Sequence, residues 1–212
     1  MSGHPEPDPP GPGQESVWDY PRPAICEPTE RHIQIIHRGV TLVDSRNVWR
    51  TLETSHPPTY YIPQSDIAME HLVPNARRTL CEWKGQARYF DILIGDDRIE
   101  AGAWSYSSPT PSFAPIRDHL AFYPDPLDQC HVDGETITPQ PGQFYGGWIS
   151  QYEAGPYKGV PGSRSGEVHA RRGMTAAIFR ARAAPERLPR THPTDRTCST
   201  FSRVLIAISS GW

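Results

Sequence analysis

Arg88-Tyr89-Phe90-Asp91-Ile92-Leu93-Ile94, then Gly95-Asp96-Asp97, then Arg98 to Trp104, is the stretch that decides the fold. Aromatic and β-branched residues fill its first part, which is the composition of a strand. A glycine and two aspartates then break it, and a second strand-like run returns, so the segment reads as a hairpin. The same pattern recurs on either side. Ile33 and Ile35 alternate with polar neighbours, and His37-Arg38-Gly39 turns the chain into Val40-Thr41-Leu42-Val43. Val132 and Thr136 flank Asp133-Gly134, another tight-turn pair. One short helix is expected, with Ser65 capping residues 66–72 and Pro74 ending it. Short strands divided by glycine and proline turns predict a mainly β domain, built as a compact antiparallel sheet or barrel.

Composition agrees. The chain has 212 residues, enough for one domain with a sizeable core and tails. Its 24 prolines and 17 glycines exclude an all-helical architecture, because each proline removes a helix hydrogen bond. No run of 18 apolar residues predicts a membrane span, and the N-terminus has no apolar signal core. A cytoplasmic setting is therefore expected.

Charge divides the chain. Through residue 162 there are 12 Lys and Arg against 21 Asp and Glu, a net of −9; beyond it 9 arginines face 3 acids, a net of +6. The first 16 residues carry prolines at 5, 7, 9, 10 and 12 and read as a disordered leader. Residues 17–162 read as a single β domain and 163–212 as an arginine-rich tail outside the fold. The acidic body disfavours nucleic acid as its partner, leaving the basic tail as the place where RNA would bind. A small molecule is the expected partner of the body. Cys26, Cys81, Cys130 and Cys198 stand far apart with no CxxC pair, so no local metal motif is expected, and scattered thiols fit a reducing compartment. A composite site from Cys81, Cys130, His119 and His131 would need the fold to gather them.

Three clusters can carry chemistry. In Glu53-Thr54-Ser55-His56-Pro57-Pro58-Thr59-Tyr60-Tyr61, the Pro-Pro pair holds the backbone extended, and Glu53 and His56 are a candidate base and acid. The bland alternative is a glutamate bonded to backbone amides beside a satisfied histidine. In Cys81-Glu82-Trp83-Lys84-Gly85, Cys81 is a candidate nucleophile, and Lys84 a candidate Schiff-base or oxyanion residue. As a strand this run would put Cys81 and Trp83 on one face and Glu82 and Lys84 on the other. The alternative is a buried structural thiol beside an exposed pair. In Pro139-Gln140-Pro141-Gly142-Gln143-Phe144-Tyr145-Gly146-Gly147-Trp148, glycines beside large rings suit close approach to a ligand. The alternative is aromatic core packing.

These strings, with Val17-Trp18-Asp19-Tyr20-Pro21-Arg22-Pro23, Ala103-Trp104-Ser105-Tyr106, Ala121-Phe122-Tyr123-Pro124 and Val132-Asp133-Gly134-Glu135, resemble the DUF427 family of domains of unknown function, sometimes labelled nucleotidyltransferase-like. The resemblance covers roughly residues 17–162. It implies a small antiparallel β-tent or partly open barrel with one short helix and disordered termini. Tent folds often hold zinc through two CxxC pairs, which are missing here. It also implies that family members end soon after Gly155-Pro156-Tyr157-Lys158-Gly159, so that Arg164 to Ser209 reads as an in-frame insertion.

Two function classes follow. One is a small-molecule enzyme with acid–base chemistry through Glu53, His56, Cys81 and Lys84, serving metabolite tailoring. Its pocket would be lined by Tyr60, Trp83, Tyr89, Trp104, Tyr106, Tyr145, Trp148 and Lys158. The other is a non-catalytic binding module whose aromatic pocket holds a ligand while Lys84 or Lys158 answers its charge. Nucleotidyl transfer, as the family label has it, is a third expectation. No metal or nucleotide-cradle motif is visible, and the cofactor stays unassigned.

Overall fold

In the computed structural model, residues 6–142 and 144–159 are described. They build a mainly β structure of several short sheets, none closed into a barrel. The longest sheet runs in the order Leu120–Phe122, Asp97–Ser105, Gly85–Ile94, Leu72–Cys81, all antiparallel. Its central hairpin turns through Gly95 and Asp96, with Ile94 paired to Asp97, as the sequence predicts. A second sheet sets Glu135–Thr136, Gln129–Val132, Ile33–His37 and Val40–Ser45 side by side. Both of its two-residue turns, Arg38-Gly39 and Asp133-Gly134, hold two positive φ angles, the backbone that suits the right-handed twist of the strands they join. A third sheet joins Ile25–Thr29, Val48–Leu52 and Thr59–Tyr61. Reciprocal hydrogen bonds between Ile62 and Leu120 tie it to the long sheet.

Two sequence expectations need correction. Residues 66–72 are not one helix but two single 3-10 turns, Gln64–Asp66 and Met69–His71. Ile67 between them bridges to Val43, and the Ser65 hydroxyl bonds the Asp66 carboxylate rather than a helix end. Pro74 lies inside the strand that follows, on the open edge of the sheet, where its missing N–H costs nothing. Among the described residues, the helical segment longer than one turn is Pro111–Ile116, started by a proline whose φ is preset for it. The chain is also bound to the body before Val17. Asp8 donates its N–H to Gly155, and Glu15–Ser16 pairs in parallel with Glu153–Ala154. The expected insertion and arginine-rich tail lie outside the described residues. No helix among the described residues is long and apolar enough to cross a membrane.

Strand alternation separates the two larger clusters of the interior, beside a small third one around Val17, Tyr20 and Leu52. Tyr60 enters an aliphatic core with Ile33, Ile35, Leu42, Phe122 and Trp148. Tyr61, next in sequence, enters an aromatic cluster with Tyr89, Trp104, Tyr106 and Phe113. A buried carboxylate steers this second cluster. Asp91 accepts the N–H of Ala101 at 2.7 Å, a residue at φ 49, where the sheet register shifts. Burial opposes its charge, but that N–H, Asn75 and Arg98 outweigh the burial and hold the carboxyl below the usual range. The bulge so fixed aims Ala103 at the aliphatic core and Trp104 at the aromatic one.

Candidate functional site

The aromatic cluster floors a cavity of about 410 Å³. Glu53, His56, Cys81 and Lys84 all line it, together with Trp83, Tyr89, Trp104, Tyr106, Tyr145 and Lys158. Tyr60 and Trp148 do not. Their rings meet edge to face at 5.6 Å in the aliphatic core, and Trp148 donates its indole N–H to the Phe122 carbonyl. Tyr61 takes the wall position instead, because adjacent strand residues point oppositely.

Each side chain arrives for a local reason. Glu53 and His56 sit in the turn after Val48–Leu52, where the His56 N–H bonds the Glu53 carbonyl and Ser55 adopts φ 68. Pro57 and Pro58 then lead straight into Thr59–Tyr61. Cys81 ends its strand, paired with Gly85, so Glu82-Trp83-Lys84 is the turn of a hairpin. The expected two-faced alternation fails there, and all four residues border the cavity. Thr110 straps this turn down, with its hydroxyl on the Trp83 carbonyl at 2.6 Å and its N–H on that of Lys84 at 3.3 Å.

The glycines of the third cluster serve the protein itself. A Cβ on Gly146 would stand 2.3 Å from the Trp104 ring, and one on Gly147 would stand 2.4 Å from Gln140. The backbone there packs against the wall rather than leaving a cradle for a ligand, and Tyr145 turns its ring edgewise to His56 at 4.9 Å.

Gln140 is a cavity residue that sequence reading passes over. It is 5% exposed, and its amide nitrogen reaches the Lys158 carbonyl at 2.8 Å and His56 Nδ1 at 2.9 Å. A carbonyl only accepts, so the Gln140 NH2 must face it, and the second N–H then points at Nδ1. His56 Nδ1 is therefore an acceptor, and the ring carries its proton on Nε2. Burial lowers the imidazole to about 4; the charge of Glu53 is the strongest opposing influence, Lys158 and Lys84 act with the burial, and the Gln140 bond acts against it. The histidine is neutral at pH 7, where the sequence leads one to expect a group titrating near neutrality. The only hint in sequence is an amide pinned between two prolines.

Charge around the cavity is partly cancelled. Arg22 reaches Glu53 at 3.3 Å and Glu82 at 3.5 Å, its guanidinium 5.6 Å from the Trp83 ring centre. Lys84 lies 5.4 Å from the Phe113 ring and Lys158 5.6 Å from that of Tyr145. Neither lysine meets a carboxylate among the described residues. Phenols form the deep wall: Thr79 bonds Tyr89 at 2.9 Å and Trp104 donates to Tyr61 at 3.3 Å. Burial raises Tyr61, Tyr106 and Tyr123, so all three stay protonated. Cys81 has the neutral phenol of Tyr106, not a base, as its hydrogen-bonding neighbour.

The thiols and histidines considered for a composite site do not gather. Cys130 is buried in the aliphatic core, and among the described residues no three His, Cys, Asp or Glu side chains converge to hold a metal. No curated protein matches the chain at a significant level. A family model described as "Domain of unknown function (DUF427)" matches residues 25–133, which carry Glu53, His56, Cys81 and Lys84 but stop short of Gln140 and Lys158. That match spans just over half of the chain, and the protein belongs to the DUF427 family.

Proposed function

We propose that the cavity is the active site of an enzyme that performs acid–base chemistry on a small molecule. One observation carries this reading: Glu53, His56 and Lys84, from two separate turns, border the same aromatic-walled space. Glu53 is the base, since its carboxylate is 21% exposed and borders the cavity. His56 does not supply the proton, because it is neutral and its Nδ1 is occupied. Its Nε2–H instead donates to a substrate oxygen on which charge builds as Glu53 takes a proton. Lys84 and Lys158 add positive charge near that oxygen. Covalent catalysis through Cys81 has less support, since among the described residues the thiol's hydrogen-bonding neighbour is the Tyr106 phenol and not a base.

The nucleotidyl transfer in the family's label calls for carboxylates placed to grip magnesium against a triphosphate. Of the adjacent acidic pair Asp96-Asp97, Asp97 is bound to His37 at 2.8 Å and Arg38 at 2.6 Å, in a turn outside the cavity lining. Glu53 and Glu82 share Arg22. Acid–base chemistry therefore stands ahead of it.

The test is incubation of the full chain with a metabolite extract, followed by mass spectrometry. The wild type consumes at least one mass, and Glu53→Gln slows that loss by about 10²-fold or more while binding the same compound within a few-fold. Cys81→Ser leaves turnover intact. Enrichment of a compound without any consumption would make the protein a binding module instead.

A further inference from the structure

Among the proton donors at this cavity, the Lys84 and Lys158 ammoniums and His56 Nε2–H have no protein acceptor among the described residues. The contrast with the other charged clusters is plain. Arg50 is bonded to both Glu15 and Glu27, and His37 lies between Asp97 and Asp128. There Arg50 and Arg38 each meet their anions inside the protein. At the cavity Arg22 holds both Glu53 and Glu82, so Arg22, Lys84 and Lys158 face two carboxylates and a net charge of +1 remains, with neither lysine in an ion pair. Both lysines act on the His56 ring, so the three donors share one electrostatic neighbourhood. This excess of positive charge stands on a body whose net charge through residue 162 is −9, and such a local reversal of sign draws in anions.

The remaining lining fixes the rest of the ligand. Trp83, Tyr89, Trp104 and Tyr145 offer ring faces and edges, which suit a flat conjugated system. Two large apolar residues at the same cavity, Leu80 at 82% and Phe144 at 67%, are exposed far beyond the other large apolar side chains among the described residues. A ligand with an apolar edge would cover them. The volume of about 410 Å³ is that of a small-molecule site.

We infer that the ligand of this cavity is a planar aromatic anion, its carboxylate or phosphate oxygens received by Lys84, Lys158 and His56 Nε2–H and its ring held against the tryptophan and tyrosine wall. The inference rests on the cavity being the working site, but not on the chemistry performed there.

Calorimetry with the full chain tests it, using two pairs of probes, one matched in shape, indole-3-carboxylate against indole-3-carboxamide, and one with and without the anionic group, adenosine monophosphate against adenosine. The charged member of at least one pair should bind about tenfold or more tightly than its neutral partner, the worth of one charge-assisted hydrogen bond. Lys84→Met and Lys158→Met should each erase most of that preference, and rising salt should weaken it. Which pair shows the preference assigns the anion as carboxylate or phosphate. Equal binding of charged and neutral members overturns the inference, as does a preference untouched by both lysine variants, or no binding by any of the four. Glu53→Gln takes a negative charge away from the cavity and releases Arg22, so it should keep or tighten binding of the charged probes while it slows the proposed turnover. Loss of the proposed catalysis and loss of anion recognition are therefore read separately.

Discussion

His56 shows how one neighbour can reverse the role that a residue type suggests. Without Gln140 the imidazole would be free to carry its proton on either nitrogen. With the Gln140 amide held by the Lys158 carbonyl, Nδ1 must accept and Nε2 must donate. Burial then removes the charged form near neutrality. The ring C–H resonances of His56 should titrate with a midpoint of about 4, and a midpoint near the ordinary 6.5 would contradict this account. The sign of the linked stability effect follows. Between pH 6.5 and 4 the unfolded chain takes up a proton that the folded ring refuses, so this contribution to stability is intact above 6.5 and is lost as pH falls to 4. The loss is up to about 3 kcal/mol. Gln140→Leu strips two buried acceptors of their donor and should cost about 1–3 kcal/mol in thermal unfolding.

At the level of elements, the strands were readable and their exact partition was not. Turn pairs such as Asp133-Gly134 announce themselves, because few residues tolerate two positive φ angles in succession. Cys81-Glu82-Trp83-Lys84 carries no such signal. It alternates like a strand, yet long-range pairing of Cys81 with Gly85 makes it a turn and brings all four side chains to one cavity. The short helix is misread for a similar reason. Ile67 gains more by bridging to Val43 than residues 66–72 gain from so short a helix. The strap on the hairpin turn is equally invisible, since Thr110 lies far along the chain. Thr110→Val keeps the volume but removes the hydroxyl that holds the Trp83 carbonyl. It should cost about 1 kcal/mol of stability, read from the denaturation midpoint, and weaken ligand binding by loosening Trp83 and Lys84. Unchanged affinity would mean that the turn is held by other contacts.

Across the whole molecule, two adjoining cores do different work. The aliphatic one supplies the packing that holds the sheets together; the aromatic one is left open on one side as the cavity floor. Sequence composition cannot assign a ring to either, which is why Trp148 reads as pocket lining while it is 1% exposed in the packed core. Trp148→Phe should lower the melting temperature by several degrees and leave ligand affinity unchanged, the reverse of what a wall residue would do. The residue types of the site were visible in the family's motif strings, but their convergence depends on the bulge at Asp91, the strap at Thr110 and the lock at Gln140. None of these has a local sequence signature.

The central claim is that the molecule works at this one cavity. A crystal structure of the full chain with the tightest-binding aromatic anion tests it most directly. The predicted result places the ring against Trp83 and Tyr145, with the anionic oxygens within hydrogen-bonding distance of Lys84, Lys158 and His56 Nε2. A ligand seated elsewhere on the protein, or one in the cavity with its charged end turned to solvent, would contradict it.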